Sequence, residues 1–407
     1  MPDQNNIWQV LRRREVVSTC LFLFMTDLII GSISPTLSLF ASSLGASLTL
    51  VGVLATTLGL ARFGSSLALG SLSDRRGRKN ILMAGMALMG LAALLYAITS
   101  NPYALLLVNA LFGMSFVASL TVALAYIADL VAARVRSLVF GVVTTAMGLG
   151  FSIGSFMGGW LTARWGYAGA YLTALAIAVI AVMVIWRGLP TSSGLPQRSE
   201  VNGLSWWRQI GVMLANPMIV AACLGTIIAN LIFGGLIITF FPLYAQGLGL
   251  SQAGVSSLFA LRTLASTLAR LPAGILGTRL PVHWLMFSAL LLATLVALVL
   301  PQFAHPTGWM LLLSCEGIAF GLFLTAGQTT VAAQANESNR GAVVGVYMAS
   351  ASVGDSFAPL FLGLIADRLG IVTVFYVVGG LALLGVMIMG WLLLRQSSLF
   401  VEAGTGN

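Results

Sequence analysis

Long apolar runs, each interrupted by a few polar or glycine residues, fill this chain almost from end to end. They fall at 16–40, 48–70, 80–100, 103–128, 137–163, 167–187, 217–245, 251–277, 282–301, 308–334, 341–365 and 371–395. A helix crosses a bilayer with about 20 apolar residues, and every run is long enough. Backbone polar groups in lipid find no water, so the runs predict α-helices that satisfy their own hydrogen bonds. We number them spans 1 to 12. The connections are short except for 188–216, which is rich in Gly, Pro, Ser and Arg and separates a first bundle at 1–187 from a second at 217–407. In this linker, Trp206, Trp207 and Arg208 lie close to Ile210 and Met213. The cluster reads either as a short helix on the inner interface or as a tether with two interfacial tryptophans. The expected fold is an all-α membrane protein, twelve transmembrane helices in two pseudo-symmetric six-helix bundles.

Composition agrees. The chain is 58% hydrophobic and 8% charged, with mean hydropathy +0.99, too little polar surface to cover a soluble core. A net charge of +9 would suit nucleic acid, but its distribution assigns it to a membrane. With the N-terminus inside, fifteen of the twenty basic residues fall in inner segments, among them Arg12, Arg13, Arg14, Arg75, Arg76, Arg78 and Lys79. Only Arg164 and Arg368 fall in outer loops, and Arg62, Arg262 and Arg270 lie within spans. The positive-inside bias therefore puts both termini in the cytoplasm. No small-residue cleavage site and soluble domain follow span 1, so it is read as a retained helix rather than a signal peptide. Cys20, Cys223 and Cys315 all lie in apolar runs and read as small buried hydrophobes. The two histidines, His283 and His305, fall in opposite loops, which argues against a histidine-based metal or hydrolase site. No phosphate loop of the Gly-x-x-x-x-Gly-Lys-Ser/Thr kind is present. No cofactor, metal, catalytic residue or nucleic-acid partner is expected.

The two halves are related by a constant offset. Gly70, Leu72, Arg75, Arg136, Gly141, Gly150, Gly159, Arg164 and Gly166 each recur 204 residues on, as Gly274, Leu276, Arg279, Arg340, Gly345, Gly354, Gly363, Arg368 and Gly370. One offset carrying this many glycines and arginines marks a parallel repeat. The copies differ in charge: Asp74 maps to Thr278, and Gly77, Arg78 and Lys79 map to Pro281, Val282 and His283.

The turn between spans 2 and 3 reads Gly70-Ser71-Leu72-Ser73-Asp74-Arg75-Arg76-Gly77-Arg78-Lys79. It resembles the loop between helices 2 and 3 of the major facilitator superfamily, whose pattern is Gly-x-Leu-Ala/Ser-Asp-Arg-x-Gly-Arg-Arg/Lys. The resemblance implies a secondary transporter with two six-helix halves and substrate bound between them near the midplane. It also implies an inner gate in which Asp74 meets the cytoplasmic end of span 11, near Gly341, where a carboxylate suits a helix N-terminus. Asp129, at the inner end of span 4, is the expected partner of Arg78, while Gly70 and Gly77 allow tight turning. Arg76 and Lys79 are explained by topology alone; an acid contributes little to topology, so Asp74 needs another cause.

Span 5 carries Gly141, Gly150, Gly154, Ser155, Gly158 and Gly159. This resembles the signature of exporters in the same superfamily, in which Gly-Pro stands where Gly154-Ser155 does here. The proline survives in the repeat mate, Ala358-Pro359. Small residues at this spacing also serve plain helix packing. A second departure lies in span 4. Drug-exporting members usually carry an arginine four residues before a glycine, and here Asn109 precedes Gly113.

Ionisable groups in a spanning helix are costly and point to function. At about 1.5 Å per residue, Asp27 lies roughly 16 Å and Arg62 roughly 12 Å from the inner ends of spans 1 and 2. Glu316 and Arg262 lie roughly 12 and 16 Å from the outer ends of spans 10 and 8, and Asp355 near the middle of span 11. Asp27 with Arg62, and Glu316 with Arg262, are the pairings to test. Asp27 is the leading proton-carrier candidate, followed by Glu316 and Asp355; the competing reading is a static ion pair that fixes packing, and Glu316 is also a candidate for a cationic substrate. Spans 1, 4, 7 and 10 line the cavity in the resembled superfamily. They offer Asn109, Phe112, Met114, Asn230, Phe233, Phe240, Tyr244, Phe320 and Gln328. This apolar and aromatic set with scattered amides suits an amphipathic organic compound better than a sugar. The expectation is a monomeric, multi-pass, proton-coupled exporter in a bacterial inner membrane. The alternatives are a carrier for a sugar, amino acid, siderophore or lipid-like substrate, a non-transporting sensor, and a membrane enzyme.

Overall fold

The computed structural model describes residues 10, 12–131, 133–190, 216–334 and 340–404. The Trp206-Trp207-Arg208 cluster lies outside these residues, as do the side chains of Asp74 and Arg75. Every regular element among the described residues is helical. The first six are α1 (Arg14–Ser43), α2 (Leu48–Arg76), α3 (Arg78–Ile98), α4 (Ala104–Leu130), and α5 and α6, which share the stretch Ala133–Gly188 on either side of Gly166. Helix α7 is composite: α-helical over Pro217–Asn230, π-helical over Leu231–Ile238, and α-helical again over Phe241–Gly247. Then come α8 (Gln252–Arg279), α9 (Val282–Val299) and α10 (Pro306–Ala333). Helix α11 is interrupted, with pieces at Arg340–Ser356 and Ala358–Leu369, and α12 spans Ile371–Gly404. Among the described residues, ten helical stretches are long and apolar enough to cross a membrane, and one of them, Leu138–Gly188, contains both α5 and α6. Helix α8 is not among them; it carries Arg262, Arg270 and several Ser and Thr residues.

Three connections shrink to a single glycine. Gly77 (φ 84°, ψ 135°), Gly166 (φ 72°, ψ 176°) and Gly370 (φ 87°, ψ 154°) adopt a region of backbone space that a Cβ forbids. Gly166 and Gly370 are repeat mates, so the turns α5–α6 and α11–α12 have the same construction. The mate of Gly77 is Pro281, whose φ of −58° makes an ordinary helix entry. The repeat reaches the packing as well. Phe40 meets Tyr171 edge-on at 5.3 Å between ring centroids, and their mates Tyr244 and Phe375 meet at 5.0 Å. The ends of α1 and α7 close alike, with Ala46 N–H donating to Ala41 O and Leu250 N–H to Ala245 O, both at 3.0 Å.

Beneath an apolar core, burial differs from that of a soluble protein in two respects. Thr19, Thr26, Ser32, Thr36, Asn109, Ser115, Ser119 and Thr294 are inaccessible, while Phe63, Phe156, Trp165, Leu271, Phe361 and Met387 are more than half exposed. Lipid solvates the second group. Many buried hydroxyls donate to the carbonyl four residues back, as Thr26 does to Phe22 O at 2.9 Å and Thr294 to Leu290 O at 2.8 Å. Cys223 is buried and Cys20 half-buried, but Cys315 is exposed, which corrects the expectation that all three are buried.

The chain divides into two compact units. One comprises Met1–Gln197 with Ala245–Leu264, the other Arg198–Tyr244 with Ala265–Asn407. The first half of α8 therefore packs with the first unit.

Candidate functional site

In the first unit the glycines of α5 lie directly against the backbone of α1. A Cβ on Gly150 would strike the carbonyl of Phe24, on Gly154 that of Leu28, and on Gly158 that of Ser32; in return Gly31 of α1 meets Phe151. These contacts step along α1 one turn at a time and bracket Asp27, which is 9% exposed. The stripe that sequence reads as an exporter signature is, physically, the surface on which the helix carrying Asp27 rests. Gly159 faces Ser256, and Ser152 Oγ donates to Ala260 O at 2.7 Å, so α5 also holds the first half of α8. Gly141 has no neighbour within 4 Å. Ser155, in the place of the family's proline, bonds Phe151 O at 2.9 Å and α5 continues unbroken. Two residues before its mate Pro359, α11 is interrupted at Phe357.

Arg62 lies over the ring of Phe116, its guanidinium carbon 4.0 Å from the centroid, a cation–π contact that sequence reading missed. Gly113 makes room for the same crossing: a Cβ there would lie 2.7 Å from Leu58 O. Asn109, where drug exporters carry arginine, is inaccessible and satisfied. Its Nδ2 donates to Leu54 O at 2.9 Å and its Oδ1 accepts from Tyr96 Oη, so it ties α4 to α2 and α3. Phe112 packs edge-on against Tyr96 at 6.0 Å.

Around the Gly77 turn, Arg78 Nη2 reaches Asp129 Oδ2 at 2.6 Å, the pairing the sequence pointed to. Lys79 does more than set topology. Its ammonium donates to Trp186 O at 2.8 Å and Leu189 O at 2.6 Å, and Arg14 Nη2 donates to Arg187 O at 2.6 Å. These cations cap the last carbonyls of α6, where unpaired acceptors and the helix dipole favour positive charge. Only the fold brings residues 14, 79 and 187 together, so no local pattern announces the cap.

In the second unit, the π-helical part of α7 faces the interruption of α11. A Cβ on Gly234 would lie 2.7 Å from Asp355 Cβ, and one on Gly354 would lie 3.0 Å from Asn230 Cβ. Thr239 Oγ1 bonds Gly234 O, five residues back, at 2.7 Å. The glycine pair 234–235 and Pro242, which lacks an N–H, account for the irregular helix. Phe233 packs on Phe320 of α10 at 4.9 Å, and both rings are half-buried. Phe240 and Tyr244 are buried; Tyr244 packs on Trp309 and Phe375 and donates to Pro301 O at 2.9 Å. Met114 and Gln328 are exposed. Glu316 and Arg262 are 1% and 2% exposed, in the second and first unit respectively.

An all-helical, lipid-exposed repeat with ionisable groups at mid-depth is the construction of a secondary transporter. The Major Facilitator Superfamily profile matches residues 19–251 and 226–400, and the chain belongs to that superfamily of transporters. It is 24% identical over 403 residues to the multidrug resistance protein MdtG of Salmonella paratyphi C, covering 96% of this chain and 98% of that one. It is 22% identical over 354 residues to an uncharacterized MFS-type transporter of Methanocaldococcus jannaschii, covering 86% and 91%. Its fold is similar to a crystal structure of a mutant of the nucleoside transporter NupG, with TM-score 0.76 and 15% identity over 93% of this chain and 99% of that one. It is also similar to a bacterial homologue of the human lysosomal transporter Spinster, inward-facing and occupied, with TM-score 0.76 and 14% identity over 93% and 96%.

Proposed function

We propose that this transporter is a proton-coupled exporter of amphipathic small molecules, working as a monomer by alternating access in a bacterial inner membrane. The observation that carries the reading is Asp27. Asp27 is buried on α1, a helix whose backbone rests on the glycine stripe of α5, in a segment long and apolar enough to cross the bilayer. Desolvation favours a neutral carboxylic acid and water or a guanidinium favours the carboxylate, so an acid whose surroundings alternate picks up and releases a proton. The glycine contact lets α1 and α5 move as one body, so that a shift of α5 is felt at Asp27. Glu316 and Asp355 are the next candidates. The similarity to a multidrug resistance protein supports export of drug-like molecules, and the half-buried Phe233, Phe320 and Asn230 offer them apolar and amide contacts. Arg78 and Asp129, with Asp74, would brace the cytoplasmic end through the cycle.

The test is transport in membrane vesicles with an imposed pH gradient. Asp27→Asn should abolish proton-driven export of a fluorescent drug, Asp27→Glu should retain part of it, and Glu316→Gln should reduce it. Undiminished proton-driven export in both Asp27→Asn and Glu316→Gln would overturn the reading.

A further inference from the structure

The cation cap on the last turn of α6 carries more charge than a cap needs. Arg14 of α1 donates to Arg187 O at 2.6 Å, and Lys79 of α3 donates to Trp186 O at 2.8 Å and Leu189 O at 2.6 Å. Arg187 is a third cation, from α6 itself, and Arg12 and Arg13 stand at the entry to α1. A helix C-terminus offers only about half a negative charge. The acid next in the chain, Glu15, lies within electrostatic reach of Tyr126 of α4. With both of these counted, Arg14, Lys79 and Arg187 still leave an excess of about 1.5 positive charges at one helix end. Donors remain as well. Among the described residues, the carbonyls take two of the three Lys79 N–H groups and one nitrogen of the Arg14 guanidinium. Arg14 and Arg187 are exposed and Lys79 is half-buried. The fold does not demand this cluster, because the repeat puts Met218, His283 and Trp391 at the equivalent positions 204 residues on. There Arg395 lies one turn further, over the ring of Trp391. An apolar bed runs from the cluster into the membrane. Val17 and Leu21, three and seven residues after Arg14, share its face of α1 and are 49% and 40% exposed. On α6, Met183 and Trp186 are 52% and 59% exposed. The two helices touch where Gly188 meets Ser18, so these faces adjoin.

We propose that Arg14, Lys79 and Arg187 bind the phosphate of an anionic phospholipid in the leaflet beside the Gly77 turn. The two guanidiniums offer forked donors to the phosphate oxygens and the ammonium a point charge. Trp186 sits at headgroup level, and the acyl chains lie along Val17, Leu21 and Met183. A basic pocket between the ends of spanning helices holds an anionic headgroup in this way. A soluble phosphate would meet the same cations, and the apolar bed is what selects a lipid. The bound lipid would tie together the ends of α1, α3 and α6, all within the first unit. The site is independent of the export reading, and its test measures no transport.

The experiment uses the full chain in phosphatidylcholine nanodiscs that carry brominated phosphatidylglycerol or, at the same mole fraction, brominated phosphatidylcholine. Bromine quenches a nearby tryptophan, and the difference between wild type and Trp186→Phe isolates the signal of Trp186. Phosphatidylglycerol should be enriched at Trp186 by about fivefold or more over phosphatidylcholine. A lysine or arginine at an anionic membrane surface is worth about fivefold in lipid affinity, so Lys79→Gln, Arg14→Gln and Arg187→Gln should each lower the enrichment by about that factor. Lys79→Arg and Arg14→Lys, which keep the charge, should retain most of it. Arg279→Gln, which removes an exposed cation at the end of α8, should leave it unchanged. Equal quenching by the two lipids in wild type overturns the site, and this comparison stands even where a glutamine variant fails to fold. An effect of Arg279→Gln as large as that of Lys79→Gln also overturns it, since the attraction then belongs to the whole basic surface. Displacement of the lipid by soluble glycerol phosphate at the same concentration would overturn the lipid as occupant.

Discussion

The same substitution, made twice in α5, should have opposite signs. At Gly154, a Cβ would lie 2.9 Å from the carbonyl carbon of Leu28 and 3.0 Å from its Cα, with the carbonyl oxygen nearer still. Carbon atoms pack best at about 3.5–4.0 Å, so α1 and α5 must separate by roughly 1 Å. Overpacking of this kind costs about 1–3 kcal/mol. Alanine regains about 1 kcal/mol over glycine in a helix. The atoms in the way are backbone and cannot rotate aside, so the upper part of the cost applies and Gly154→Ala should lose about 1–2 kcal/mol. At Gly141 nothing lies within 4 Å, so Gly141→Ala should be neutral or gain up to about 1 kcal/mol. Thermal unfolding in detergent, followed by tryptophan fluorescence, should therefore place Gly154→Ala below wild type and Gly141→Ala level with it or above. Vesicle transport should fall with Gly154→Ala and not with Gly141→Ala, because the first moves the helix that carries Asp27. If the two variants melt together, the glycine stripe is not a contact surface and does not couple α5 to the helix that carries Asp27.

Two further substitutions test the frame around the site. Asn109→Leu removes the amide that joins Leu54 O to Tyr96 Oη and strands both in an apolar interior, so it should cost about 1–3 kcal/mol in the same melt, whereas an arginine's role in charge transfer would predict lost coupling with stability intact. Asp129→Asn weakens the 2.6 Å contact with Arg78 and should destabilise the fold by about 1 kcal/mol, with protease accessibility at the Gly77 turn rising as the direct readout; unchanged cleavage there would dismiss the brace.

Much of the architecture was legible because the bilayer enforces it. Apolar runs longer than a membrane is thick must be helices, whatever their neighbours. The repeat was legible too, through glycines such as Gly166 and Gly370, whose backbone conformations no other residue tolerates. The Arg78–Asp129 pair could be anticipated, since both ends are tied to adjacent turns. Other features rest on which faces of helices meet. The Asn109 position was conspicuous as a departure, but its role as a bridge needed Tyr96 and Leu54 brought to it. Lys79 read as a topology signal because its acceptors lie 107 and 110 residues away.

The sequence by itself determined the all-helical, membrane-spanning character of this protein and its two-fold repetition, because hydrophobic length and glycine backbone geometry are local quantities. Tertiary structure alone decided what the conspicuous residues do. Rotating a helix by one residue turns its face through about 100°, and sequence spacing does not say which neighbour that face will meet. Packing made the α5 glycines a bed for the backbone of α1, the helix that carries Asp27. It also set Gly234 of α7 against Asp355 of α11, two residues that no sequence spacing relates.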